Sequence, residues 1–177
     1  MKLEKRLYLV GFMASGKSFV GKRLAERLQA PFVDLDDRIE AAAQMSIAEL
    51  FAVKGEAYFR ALERDCLHKT AQEAPLIVAC GGGTPCFFDN MQWIKSNGMS
   101  LFLDVAPAVI AQRLEHEMAH RPLLSHLSLE ELEAFIVQKL DERGPYYQQA
   151  DIRYEVTSTE DEVIEHLMAF FLQITGH

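Results

Sequence analysis

A chain of 177 residues, 49% of them apolar, is long enough to close one hydrophobic core, and its size predicts a single domain over residues 1–177. A formal charge of -8, with no dense Lys/Arg run or interleaved aromatic patch to offset it, repels nucleic acid phosphates and excludes nucleic acid as an expected partner. No run approaches the roughly 18 unbroken apolar residues of a membrane helix, and Met1 to Arg6 leads into a strand-like run without a signal-peptide core, which predicts a cytoplasmic protein with no membrane partner.

In chain order, the first strand is predicted over Leu7 to Val10. A helix follows from Lys17 to Leu28, with Val20, Leu24 and Leu28 on one face and Pro31 as its stop. The second strand is predicted from Phe32 to Leu35. Ser46 with Glu49 then matches a capping box, in which hydroxyl and carboxylate satisfy reciprocal backbone donors, and Ser128 with Glu131 and Thr159 with Glu162 repeat it. Further strands are predicted over Leu76 to Cys80, Ser100 to Val105 and Ile152 to Val156. Their nearly continuous apolar character suits burial on both faces, and the alternation of strands with helices predicts βαβ units: an α/β fold with a parallel sheet covered on both sides. Cys66, Cys80 and Cys86 are odd in number and lack a Cys-x-x-Cys pair, so they read as reduced packing thiols.

Gly11-Phe12-Met13-Ala14-Ser15-Gly16-Lys17-Ser18 meets the pattern G-x-x-x-x-G-K-S/T between a strand and a helix. A loop there turns successive backbone N–H groups inward at a helix N-terminus and binds oxyanions without side-chain charge. Lys17 is predicted to bridge the terminal phosphates of ATP, and the Ser18 hydroxyl to ligate Mg2+. Ala14 stands where a glycine would relax the loop, and alanine loses energy at any positive φ.

Asp34-Leu35-Asp36-Asp37 ends the second strand at the carboxyl edge of the sheet, where ligands of open α/β sheets sit. Strand alternation predicts Asp34 and Asp36 on one face, dividing metal and acceptor duties, with Asp37 as the helix cap. Arg60 is predicted on a helix with Glu63 at i+3 steadying its guanidinium. Gly81-Gly82-Gly83 leaves bare backbone at the same sheet edge. Arg121, beside Pro122, is predicted in a mobile segment that folds over ATP.

In this order the segments resemble the shikimate kinase family from Leu7 to about Val156. They are the phosphate loop, Phe32-Val33-Asp34-Leu35-Asp36-Asp37-Arg38-Ile39, Ser46 to Phe51, Gly55-Glu56 with Phe59-Arg60 and Glu63, Gly81-Gly82-Gly83-Thr84, Arg121-Pro122-Leu123-Leu124, and Arg143-Gly144-Pro145-Tyr146-Tyr147. The resemblance implies a three-layer α/β/α P-loop fold of the nucleoside-monophosphate-kinase type. It has a five-stranded parallel sheet, a shikimate-binding subdomain at about 34–62 and a lid at about 114–127. It implies transfer of the γ-phosphate of MgATP to the 3-hydroxyl of shikimate, in aromatic amino-acid synthesis, by a monomer.

Carried over residue by residue, Lys17, Asp36 and Arg121 are catalytic, with Asp36 holding the acceptor hydroxyls as candidate base. Ala14, Ser15, Gly16, Lys17, Ser18 and Phe19 hold the nucleotide, with Arg121 as lid arginine and Arg113 against adenine. Phe51 and Phe59 wall the ring, Gly82 and Gly83 offer backbone contacts, and Arg60 and Arg143 grip the carboxylate. Ser18 and, through water, Asp34 reach the metal. The chemistry points the same way, since an anionic polyol needs guanidinium forks for its carboxylate and carboxylates for its hydroxyls. Gluconate and nucleoside-monophosphate kinases share the loop and are the alternatives. His116-Glu117-Met118-Ala119-His120 satisfies a zinc-protease pattern, but Pro122 follows almost at once and no third ligand is evident.

Overall fold

The structure, a computed structural model, describes residues 3–117, 128–157 and 160–175. Five parallel strands form one sheet: β1 (Leu7–Val10), β2 (Phe32–Asp34), β3 (Ile77–Ala79), β4 (Met99–Asp104) and β5 (Ile152–Glu155), in the order β2-β3-β1-β4-β5. Leu9 pairs with Ala79 on one side and Leu101 on the other, which fixes β1 at the centre. The predicted strands all exist, each within two residues of its expected ends. The helices are α1 (Lys17–Leu28), α2 (Leu35–Ala43), α3 (Ile47–Lys69), α4 (Asn90–Asn97), α5 (Pro107–Glu117), α6 (Leu129–Tyr147) and α7 (Glu160–Thr175).

Strand alternation decides what each face buries. Leu7 and Leu9 point to a core shared with Leu24 and Leu28 of α1 and Val163 and Leu167 of α7. Tyr8 and Val10 point the other way, onto Ile39, Leu50, Phe59, Ile94 and Tyr147. A third cluster, Phe12 with Ile110 and Leu114 of α5 and Leu132 and Ile136 of α6, supports the far side of the loop after β1. Leu114, the expected start of the lid, is fully buried in this cluster.

Helix α1 ends as predicted at Leu28, but the stop comes before Pro31. Gln29 turns left-handed at φ 51°, and Ala30 N–H donates back to Ala25 O at 2.9 Å, closing the end with a Schellman-type bond. The capping boxes at Ser46 and Ser128 are both formed, whereas Thr159 lies outside the described residues. Within α3, Gly55 at φ 79° breaks the helical path, and the part carrying Phe59, Arg60 and Glu63 takes its own direction. Among the described residues no helix is long and apolar enough to cross a membrane.

The connection after β1 runs toward β2 and the one after β3 crosses to β4. The strand order therefore reverses between these neighbours, and a crevice opens at their carboxyl ends.

Candidate active site

The loop from Gly11 to Gly16 fills one side of that crevice. Gly11 (φ 144°), Ala14 (φ 58°) and Gly16 (φ 91°) all have positive φ. Ala14 thus carries the backbone cost anticipated from its sequence. Gly16 caps α1 with no side-chain partner, and the first turn holds no acidic residue, so the N–H groups of Lys17, Ser18 and Phe19 face the crevice uncapped and unopposed. Phe19 is 36% exposed, and its ring lies 5.5 Å from the Arg23 guanidinium. Lys17 is buried, and its ammonium donates to Gly11 O at 2.9 Å and Phe12 O at 2.6 Å. Burial brings its pKa down to about 8, with Asp36 opposing the shift and Arg143 adding to it.

Arg113 of α5 donates to Ala14 O at 3.0 Å and flanks Gly16. Its guanidinium is thereby fixed on the same loop carbonyl that the left-handed alanine turns outward. Arg121, His120 and His126 lie outside the described residues.

The two aspartates do not share a strand face. Asp34 is the last residue of β2 and the cap of α2, its Oδ1 accepting from Asp36 N at 3.0 Å, so Asp34 and not Asp37 is the cap. Strand alternation fails here because the strand stops at Asp34 and the helix turns Asp36 by its own period. The remaining Asp34 oxygen accepts from Ser18 Oγ at 2.5 Å. That hydroxyl and carboxylate, side by side at the mouth of the loop, form the hard oxygen pair a divalent cation such as magnesium takes. Asp36 is pushed up to about 6, first by burial, then by Asp34 and Glu63, with Lys17 opposing.

The triplet after β3 makes the other wall. A Cβ added to Gly81 would stand 3.0 Å from Asp36 Oδ1 and from Glu63 Oε1. On Gly82 it would stand 3.1 Å from Met13 N and 3.4 Å from Arg143 Nη1, and on Gly83 2.8 Å from Arg60 Nη1. The glycines are therefore close-approach positions against which the phosphate loop, both arginines and Asp36 assemble.

Glu63 is 1% exposed and anchors this wall. Its Oε2 accepts from Arg60 Nη1 at 2.9 Å and its Oε1 from Thr84 Oγ1 at 2.6 Å. Arg60 also lies 4.9 Å from the Phe59 ring and 3.9 Å from that of Phe87, while Phe51 and Phe59 pack at 4.5 Å. Arg143 sits 5.4 Å from the Phe12 ring, and its Nη1 is buried without a protein partner. An unpartnered buried guanidinium nitrogen beside bare glycine backbone suits an anionic oxygen.

The expected site residues on described segments thus come together, apart from the Phe19 side chain. Sequence reasoning missed Thr84 as an acceptor-wall anchor, Phe87 under Arg60 and Tyr147 behind Gly82. Thr84 and Tyr147 stand inside the segments that carry the family resemblance, but their partners, Glu63 and Gly82, are distant in sequence. Among the described residues no group of three or more His, Cys, Asp or Glu side chains is arranged to hold a metal ion.

The family model described as shikimate kinase matches residues 13–172. The shikimate kinase of Bacteroides fragilis is 43% identical over 156 residues, spanning 88% of this chain and 87% of that protein. The crystal structure of shikimate kinase from Bacteroides thetaiotaomicron superposes with a TM-score of 0.88 at 37% identity, covering 94% of this chain and 98% of the other. The shikimate kinase of Acinetobacter baumannii in complex with shikimate superposes at 0.86 with 29% identity, covering 96% and 93%.

Proposed function

Since the chain belongs to the shikimate kinase family, and phosphoryl transfer from ATP to the 3-hydroxyl of shikimate is accordingly its reaction, we propose how its own residues divide that work. The uncapped N–H groups of the loop from Ala14 to Phe19 hold the nucleotide phosphates. Lys17 exchanges its carbonyl partners for the transferred group and stabilises the charge that develops there. Ser18 and, through water, Asp34 would hold Mg2+, which would draw charge from the phosphate oxygens. Arg113 lies beside the nucleotide base, and Arg121 closes over the phosphates.

On the acceptor side, Arg60 and Arg143 take the carboxylate, Gly82 and Gly83 add backbone contacts, and Phe51 and Phe59 flank the ring. Asp36 receives a hydrogen bond from the attacking hydroxyl and takes its proton as the new oxygen–phosphorus bond forms and the bond from the γ-phosphorus to the departing ADP oxygen breaks. Its raised pKa suits that step, because a base near neutrality accepts a proton readily yet remains ionised at pH 7. On this reading the chain acts as a monomer on small molecules in the cytoplasm. The observation carrying the assignment is the meeting of Arg60, Arg143 and Asp36 on Gly81–Gly83, within contact distance of Met13 in the phosphate loop.

The test is a coupled ADP-release assay that offers shikimate, gluconate and nucleoside monophosphates in parallel to the wild type and to Arg60→Lys. Turnover with shikimate alone, with the variant raised selectively in shikimate KM, is expected. Equal turnover of gluconate, or a variant altered equally toward both substrates, would refute the assignment of the acceptor wall.

A further inference from the structure

Behind the glycine wall, the hydroxyl of Tyr147 donates to the carbonyl of Gly82 at 2.5 Å. Tyr147 is the last residue of α6, one turn beyond Arg143 on the same helix face. It is wholly buried, its ring stacked at 5.1 Å on Phe102, which pairs with Val10 just before the phosphate loop. Burial raises the phenol pKa well above the ordinary tyrosine value, with Arg143 opposing, and the group is a protonated donor at every working pH.

A trans peptide carries its C=O and N–H on opposite sides of one plane. With the Gly82 carbonyl held toward the core, the N–H of Gly83 is turned the other way. It has no protein acceptor among the described residues, and Gly83 itself lies against Arg60, as Gly82 lies against Arg143. Three donors thus converge: the guanidinium of Arg60, the unpartnered Nη1 of Arg143 and the amide of Gly83.

We propose that Tyr147 is a positioning residue for the acceptor: by holding the Gly82 carbonyl it aims the Gly83 N–H into the pocket as a third donor to the substrate's oxygens. Glycine at 82 and 83 offers little resistance to peptide rotation, so without the hydroxyl the peptide samples other orientations and the donor is lost part of the time. The inference rests on the shikimate reading given above, and it concerns acceptor binding alone, leaving the nucleotide side untouched.

The experiment combines kinetics of the wild type and Tyr147→Phe with amide spectra of protein labelled with 15N-glycine, which holds only ten glycines. Phenylalanine keeps the stacking on Phe102 and removes only the hydroxyl. We expect the variant to raise the shikimate KM about tenfold with the ATP KM within about twofold of wild type, since a tenfold change corresponds to ~1.4 kcal/mol, the scale of a single hydrogen bond. The Gly83 amide resonance should move when shikimate is added to the wild type and move much less in the variant, while the Gly16 amide responds to ADP in both. A shikimate KM unchanged in the variant, or equal rises for both substrates, would overturn the proposal. Should the variant not fold, the wild type still decides: a Gly83 amide that ignores shikimate overturns it. Failure of the wild type to phosphorylate shikimate would instead remove the functional reading, and this proposal with it.

Discussion

Glu63→Gln isolates the electrostatics of the acceptor wall. The Glu63 and Asp36 oxygens each lie 3.0 Å from the position a Gly81 Cβ would occupy, hence within about 6 Å of each other. At that separation and an effective dielectric of about 20, two unit charges repel by ~3 kcal/mol. Asp36 keeps some contact with solvent, so about half of this, ~1.4 kcal/mol or one pH unit, is the expected effect on its ionisation. The sign follows from the charges: removing a neighbouring negative charge stabilises the Asp36 carboxylate and lowers its pKa from about 6. Glutamine retains an oxygen for Thr84 Oγ1 but removes the buried one of the two carboxylates, Glu63 and Glu56, that hold Arg60. The assay is kcat/KM for shikimate from pH 5 to 9, wild type against variant, with the nucleotide's own titration common to both. The acid limb should move down by about one unit, and the shikimate KM at pH 7.5 should rise about tenfold, in the range of a charge-assisted hydrogen bond. An acid limb that stays put, or moves up, would refute the account of why Asp36 is raised.

Further outcomes follow from the same geometry. In the wild type, kcat/KM should be bell-shaped, falling below about pH 6 as Asp36 takes up a proton and above about pH 8 as Lys17 loses one; a flat profile between pH 5 and 9 would contradict both assignments. Lys17→Ala should lower kcat by roughly 100-fold or more, the loss typical of one preorganised donor to developing charge, with the far-ultraviolet circular dichroism spectrum unchanged. Arg143→Lys should raise the shikimate KM by roughly 10- to 100-fold and the ATP KM by less than about twofold, because an ammonium cannot reproduce a planar two-point grip. Gly83→Ala sets a Cβ 2.8 Å from Arg60 Nη1; displacement of the guanidinium should raise the shikimate KM about fivefold, and steady-state kinetics showing no change would remove Arg60 from the pocket.

Local signals carried far into this protein. The phosphate loop, the full extent of α1 and the capping boxes at Ser46 and Ser128 were legible because each depends on residues within a few positions of one another. The five strands were legible from their apolar runs, since a strand buried on both faces needs little polar residue along its length. Errors fell where a local period gave way to another. Strand alternation predicts Asp34 and Asp36 on one face, but β2 ends at Asp34 and that residue caps the next helix. Pro31 predicts the stop of α1, whereas Gln29 closes it in a left-handed turn that no strong sequence signal marks.

What the sequence determined alone was the chemistry available: which loop can cradle phosphate, and which arginines, aspartates and glycines stand ready at strand ends. What only tertiary structure decided was their meeting. Arg60 of α3, Arg143 of α6 and Asp36 of α2 converge because the strand order reverses between β1 and β3, bringing separate loops to one sheet edge. The same convergence buries Glu63, places Tyr147 behind Gly82 and raises Asp36 toward neutrality. Desolvation and charge coupling depend on distances across the fold, and spacing along the chain does not contain them.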